Sequence, residues 1–212
     1  MKKFFTHLFV AVLLMFSATS WAQTTLEVGK VYNFKSVGYD RKSMAASGLD
    51  RTVIQDTNTK DYTQLWYVDN GTDSGTYTLR NLGNGLYLQG AGSGTKWPFV
   101  KQPSNLYYQA AGSGFSLTAN SGKNADSQYW MHYGAGNGCV VGWSINTENN
   151  GQKELVDASL WTVEEVAISA QDLLANWKEV ELLNGASEKL AEYQGYLDNL
   201  FSDKSCTTPK SC

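Results

Sequence analysis

The chain has 212 residues, a formal net charge of −3, 13% aromatic residues and only 17% charged ones. That length allows one or two domains. The acidic balance and the lack of any basic stripe argue against nucleic acid and anionic membranes as partners, whereas many rings and amides with little charge suit neutral polar ligands.

Lys2 and Lys3 precede the apolar run Phe4 to Ala18, and Ser20-Trp21-Ala22 offers the small residues that a signal peptidase reads. Residues 1–22 are therefore expected to be a secretory signal peptide, cut before Gln23. The run carries His7 and falls short of the ~18–20 apolar residues of a membrane span. No cysteine follows the cut to carry a lipid, and no second long apolar run exists. The mature chain is expected to be exported (secreted, periplasmic or at the cell surface) without membrane insertion. Loss of the two lysines takes its charge from −3 to −5.

From Thr25 to about Val166, short alternating apolar segments are separated by Gly, Asn, Ser and Thr. They include Lys30 to Val37, Gly75 to Leu82, Gly85 to Gly90, Gly114 to Asn120 and Leu160 to Val166. In Thr76 to Arg80, Tyr77 and Leu79 share one face while the threonines and Arg80 share the other. The turn signals GNG, GSG, GAGNG and NNG fall between such segments. Many short strands with no helix among them predict an all-β sandwich or barrel-like domain.

After Ile168 the periodicity changes. Ser169 is a candidate N-cap for a helix carrying Leu173, Leu174, Trp177 and Val180, with Gly185 placed to end it. A second amphipathic helix is expected from about Ser187, with Leu190, Tyr193, Leu197, Leu200 and Phe201 on one face. Two helices of this size must bury their stripes on each other, on the β-domain or on a partner. The expected division is residues 23–167 for the β-domain, 168–202 for a helical hairpin or spacer and 203–212 for a disordered tail. Of the three cysteines, Cys206 and Cys212 could close a short loop, and Cys139 is expected to be a small buried hydrophobe.

The segment Gln64-Leu65-Trp66 has two degenerate copies, Asn105-Leu106-Tyr107 and Ser159-Leu160-Trp161. Their aromatics lie 41 and then 54 residues apart, and the longer interval holds the Gly/Asn-rich stretch from Asn120 to Gly138. The segments Val31 to Gly38, Thr76 to Gly83 and Phe115 to Gly122 each read as a strand ending at a glycine turn, about one repeat length before the next anchor.

On these residues the chain resembles the ricin-type β-trefoil lectins, whose repeats end in Gln-x-Trp. The resemblance covers roughly Thr25 to Val166. It implies three pseudo-repeats of four strands, followed here by the helical hairpin, with Trp66, Tyr107 and Trp161 in a shared core. Gln64 is expected to bond backbone locally. The resemblance also implies a carbohydrate-binding module that takes glycans of galactose type; no HExxH or paired-His motif occurs, and no cofactor or metal is expected.

In such a pocket a ring stacks on the sugar while carboxylates and amides bond its hydroxyls. Trp97, before Pro98 in a Gly-flanked loop, reads as an exposed ring, with packing as the alternative. Trp143 is a second candidate, with Tyr133 and Asn146 nearby, and Asp40 is the acidic candidate early in the first unit. The pattern is incomplete: Thr63, Ser104 and Ala158 replace the expected amide before each motif, Gln89 replaces an acid, and Val53 to Asn58 holds no ring.

Catalysis finds little support. His132 is the one histidine left after export, Glu164 and Glu165 face opposite sides of a strand, and the glycine clusters lack the Lys-Ser/Thr of a phosphate loop. The expectation is a non-catalytic module that targets a larger secreted enzyme. The alternative is a protein-interaction trefoil, inhibitor-like or adhesive, that has lost its sugar pockets.

Overall fold

The computed structural model describes residues 25–119, 129–144 and 155–185. Among the described residues, twelve antiparallel strands occupy the β-region. They are β1 (Val31–Ser36), β2 (Ser43–Ser47), β3 (Arg51–Gln55), β4 (Leu65–Asn70), β5 (Thr76–Asn81) and β6 (Tyr87–Leu88). Then follow β7 (Phe99–Val100), β8 (Leu106–Ala111), β9 (Gly114–Thr118), β10 (Tyr129–Gly134), β11 (Cys139–Ser144) and β12 (Trp161–Glu165).

Six of them close a ring, β1 to β4, β5, β8, β9, β12 and back to β1. The remaining six form the hairpins β2–β3, β6–β7 and β10–β11, attached to β1, β5 and β9. A closed ring removes the exposed edges that a sheet of this size would otherwise offer for aggregation.

The period of two along each strand sorts the side chains. Every barrel strand sends two residues, spaced by two, into one cluster. The pairs are Tyr32 and Phe34, Trp66 and Val68, Tyr77 and Leu79, Leu106 and Tyr108, Phe115 and Leu117, Trp161 and Val163. The hairpins cap this barrel with Met44 and Ile54, Leu88 and Phe99, Met131 and Val140. Two indoles are fixed by equivalent bonds: Trp66 Nε1 donates to Met44 O at 3.0 Å and Trp161 Nε1 to Met131 O at 2.8 Å.

These pairs correct the middle motif. Tyr32 lies opposite Trp66, Tyr77 opposite Leu106, and Phe115 opposite Trp161. The residue in the place of Trp66 and Trp161 is therefore Leu106, and Tyr107 faces outward with its hydroxyl donating to Asp73 Oδ2 at 2.8 Å. A shift of one residue reverses the face.

Trp97 departs further from expectation. Its side chain is 0% exposed and belongs to the core. The β6 and β7 strands have two residues each, so this hairpin covers little of the barrel. The segment after β6 folds back along β11, where Trp97 N donates to Val140 O at 3.1 Å, and the indole fills the gap. Cys139 is buried and unpaired, and Cys206 and Cys212 lie outside the described residues.

A second, smaller cluster lies outside the barrel wall, where Val31, Leu65 and Leu82 meet Tyr67, Val166, Ile168 and Leu173. Helix α1 (170–185) packs there. Ser169 caps it, its Oγ accepting from Asp172 N at 3.1 Å and donating to Asp172 Oδ2. Trp177 meets Tyr67 edge-on at 5.2 Å, Val180 is buried, and Asn176 donates to Leu82 O at 3.0 Å. Leu174 points away from this contact and is exposed. Gly185, expected to end the helix, is still helical and is the last residue described; the second expected helix lies beyond it.

Candidate functional site

The hairpin β10–β11 carries the one exposed tryptophan among the described residues. In its register Trp130 faces Trp143 and His132 faces Val141, so these four side chains share the face turned away from the barrel core. Met131 and Val140 take the other face, into the core. Trp143 is 37% exposed, whereas Trp130 and Val141 are buried.

The segment before Trp97 positions this ring. Residues 93–96 run beside β11, with Gly94 N donating to Gly142 O at 2.8 Å and Gly142 N to Thr95 O at 3.0 Å. A Cβ on Gly142 would stand 2.2 Å from Ala91 O, so this close approach requires glycine. Trp143 follows directly and projects outward.

Behind Trp143 the imidazole of His132 stacks at 5.0 Å and an interplanar angle of 22°. His132 Nδ1 lies 2.9 Å from Ser159 Oγ. Burial disfavours the imidazolium and lowers the His132 pKa to about 4, so the ring is neutral at physiological pH. The result is a fixed, uncharged aromatic pair of which Trp143 is the exposed member. An exposed aromatic ring of this kind has the chemistry to take the C–H face of a pyranose.

The other expected contributors are dispersed. Tyr133 lies on the opposite face of β10, packed on the core and edge-on to Tyr39 at 4.9 Å. Asp40 is exposed in the turn beside Tyr39, and both Asp40 and Arg41 have positive φ, 49° and 58°. Non-glycine residues rarely hold that conformation, and Arg41 is tied by a 2.9 Å bond from its Nη1 to Thr162 Oγ1. Trp97 is withdrawn into the core, which removes it as a stacking ring. Asn146 lies outside the described residues.

In the first unit, polar groups bond to one another. Gln64 Nε2 donates to Asp56 O at 3.0 Å and its Oε1 accepts from Asn58 N at 2.9 Å. Asn33 links Gln64 to Ser43, which also meets Thr57 Oγ1 at 2.7 Å. Gln64 thus holds the loop to the barrel, as expected. Glu164 and Glu165 diverge to Lys35 and Lys30, the latter pair at 2.8 Å.

His132 and Ser159 carry no mark in the sequence alone as the support of Trp143. The available signal was the alternation of Trp130, His132 and of Val141, Trp143 around a Gly-rich turn. Ser159, 27 residues beyond His132, needed the folded chain.

Three solved structures show what this architecture is similar to. The Rhizoctonia solani agglutinin aligns with a TM-score of 0.52 at 18% identity, over 68% of this chain and 100% of its own. The Macrolepiota procera ricin B-like lectin, solved in complex with lactose, aligns at 0.53 and 17% identity, over 68% and 100%. A GlcNAcα1-4Gal-releasing endo-β-galactosidase from Clostridium perfringens aligns at 0.50 and 14% identity, over 65% of this chain and 33% of the enzyme. The chain therefore spans the whole of two lectins and a third of that enzyme. No family model and no curated protein sequence matches the chain. At these identities the likeness establishes the fold, a β-trefoil of the kind used by ricin B-like lectins.

Proposed function

We propose that this protein is an exported, non-catalytic carbohydrate-binding module built of three pseudo-repeats, and that its live site is the Trp143 face of β10–β11. The observation that carries the reading is the exposed indole stacked on a neutral His132, on a fold shared with lectins. The sugar lays its apolar face on Trp143, which His132 and the buried Ser159 hold in place from behind. Residues 1–22 are the signal peptide, 23–167 the trefoil, and 168–202 the helical segment, with 203–212 as the tail. The match to a third of an endo-β-galactosidase supports a role as the targeting part of a larger secreted enzyme. Galactose-terminated glycans are the proposed ligands, since one similar lectin was solved with lactose.

A glycan array probed with the mature chain, with lactose as competitor, tests this. Lactose-sensitive binding to galactose-terminated glycans supports it, and an array without signal overturns it.

A second reading, a protein-interaction trefoil, is favoured by the internal bonding of the first unit's amides and the burial of Trp97. Capture of a protein partner that sugar does not compete for would support that reading.

A further inference from the structure

A cleft of about 290 Å³ opens between α1 and the turn that follows β5. Its walls carry Arg80, Lys101, Glu181 and Asn184, with Leu86 and the backbone of Gly85. That volume is at the lower end of ligand clefts, about 300 Å³, and suits one sugar ring rather than a chain.

Arg80 is the unusual member. Its side chain is only 15% exposed. The guanidinium carbon lies 5.2 Å from the Trp177 ring centre and 5.7 Å from that of Tyr87, so two rings hold it in place. Nε donates to Gly85 O at 2.9 Å. Nη2 reaches Glu181 Oε1 only at 3.6 Å, beyond hydrogen-bond distance, and Glu181 is 70% exposed. Among the described residues, the terminal Nη groups therefore have no hydrogen-bond acceptor. Arginine keeps its charge, and a largely buried fork whose one charged contact among the described residues is the loose ion pair with Glu181 is complementary to a carboxylate.

We propose that this cleft binds an acidic monosaccharide, a hexuronate, with its carboxylate on the Arg80 fork. Lys101 also lines the rim. Asn184 donates from Nδ2 to Asn84 O at 3.0 Å, which leaves its Oδ1 as an acceptor for a sugar hydroxyl. Leu86 offers apolar contact. Glu181 accepts a hydroxyl too, and its charge selects a monoanion over a dianion such as phosphate. The site lies on the α1 side of the barrel and uses none of the Trp143 face, so either site can fail without the other.

The test is calorimetric titration of the mature chain with galacturonate, galactose and inorganic phosphate, with the indole N–H signal of Trp177 followed by NMR. Galacturonate is expected to saturate the site and shift that signal, whereas galactose leaves it unmoved and phosphate binds more weakly. Arg80→Gln is expected to weaken galacturonate binding by at least about tenfold. Because that substitution also touches the helix contact, Glu181→Gln serves as a second variant at an exposed position. It is expected to strengthen phosphate binding by about two- to fivefold by removing repulsion. Trp143→Ala is expected to leave the galacturonate-induced shift of the Trp177 signal unchanged, whatever it does to sugar bound at the Trp143 face. Absence of galacturonate binding, equal binding of galactose at Trp177, or Arg80→Gln binding as well as wild type would each overturn the proposal.

Discussion

Trp97→Ala separates the two tryptophans that the sequence presents as equals. The indole is 0% exposed and sits among the residues that close the barrel. A fully buried Trp removes up to about 250 Å² from water, worth about 6 kcal/mol at ~25 cal/mol/Å² before relaxation. Measured large-to-small core changes of this kind cost about 3–5 kcal/mol. At about 2–4 °C per kcal/mol, a loss near 4 kcal/mol lowers Tm by about 8–16 °C. Trp97→Phe should cost less than half as much, because it also removes an indole N–H that has no partner among the described residues. Trp143→Ala removes a partly exposed ring and one stacking contact, about 1–2 kcal/mol. Thermal and urea unfolding followed by circular dichroism measure all three. If Trp97→Ala were no less stable than Trp143→Ala, the placement of Trp97 as the plug of the short β6–β7 hairpin would be wrong.

The corrected register predicts that Leu106→Ala destabilises the fold by about 2–5 kcal/mol, while Tyr107→Ala, which loses an exposed hydroxyl bond, costs about 1 kcal/mol or less by urea titration. His132 has a folded pKa of about 4 against 6.5 in the unfolded chain, so the unfolded state binds more protons between these values. Its contribution is fully present above pH 6.5 and is lost as pH falls toward 4; discounted for solvent screening it is about 1–2 kcal/mol, and urea midpoints across pH for wild type and His132→Asn should show this acid limb reduced in the variant. Gly142→Ala drives a Cβ into Ala91 O and should displace β11 from the 93–96 segment, costing about 2 kcal/mol or more and weakening glycan binding through Trp143 in the same protein.

Much of the barrel was legible because its strands are short and each carries apolar residues two apart between turn residues. Tyr77 with Leu79 shows the pattern plainly, and Trp66 with Val68 shows it again. The middle unit misled by a single position, since Leu106 is flanked by Tyr107 and the larger ring invites the core assignment. Period two makes the face, and pairing with β5 fixes which residue has it. The exposure of Trp97 was unreadable for a different reason. Glycine and proline around it signal a loop, but only the contact with Val140, 43 residues further on, sends that loop inward. Along α1, Leu173 and Val180 face the barrel as their spacing implies, whereas Leu174 completes the same apparent stripe and does not. Of the site itself, Trp143 was visible as a ring after Gly142. Its support by His132 and Ser159 depends on strand pairing and on a contact across 27 residues.

The central claim is that Trp143 binds galactose-type sugar while Trp97 only holds the fold. Isothermal titration of lactose into the folded wild type and folded Trp143→Ala addresses it directly, with Trp97→Phe as the core comparison. Saturable binding is expected of wild type and Trp97→Phe, and at least about a tenfold loss of Trp143→Ala, as for a truncated central ring. Equal lactose affinity in wild type and Trp143→Ala, or none in wild type, would contradict it.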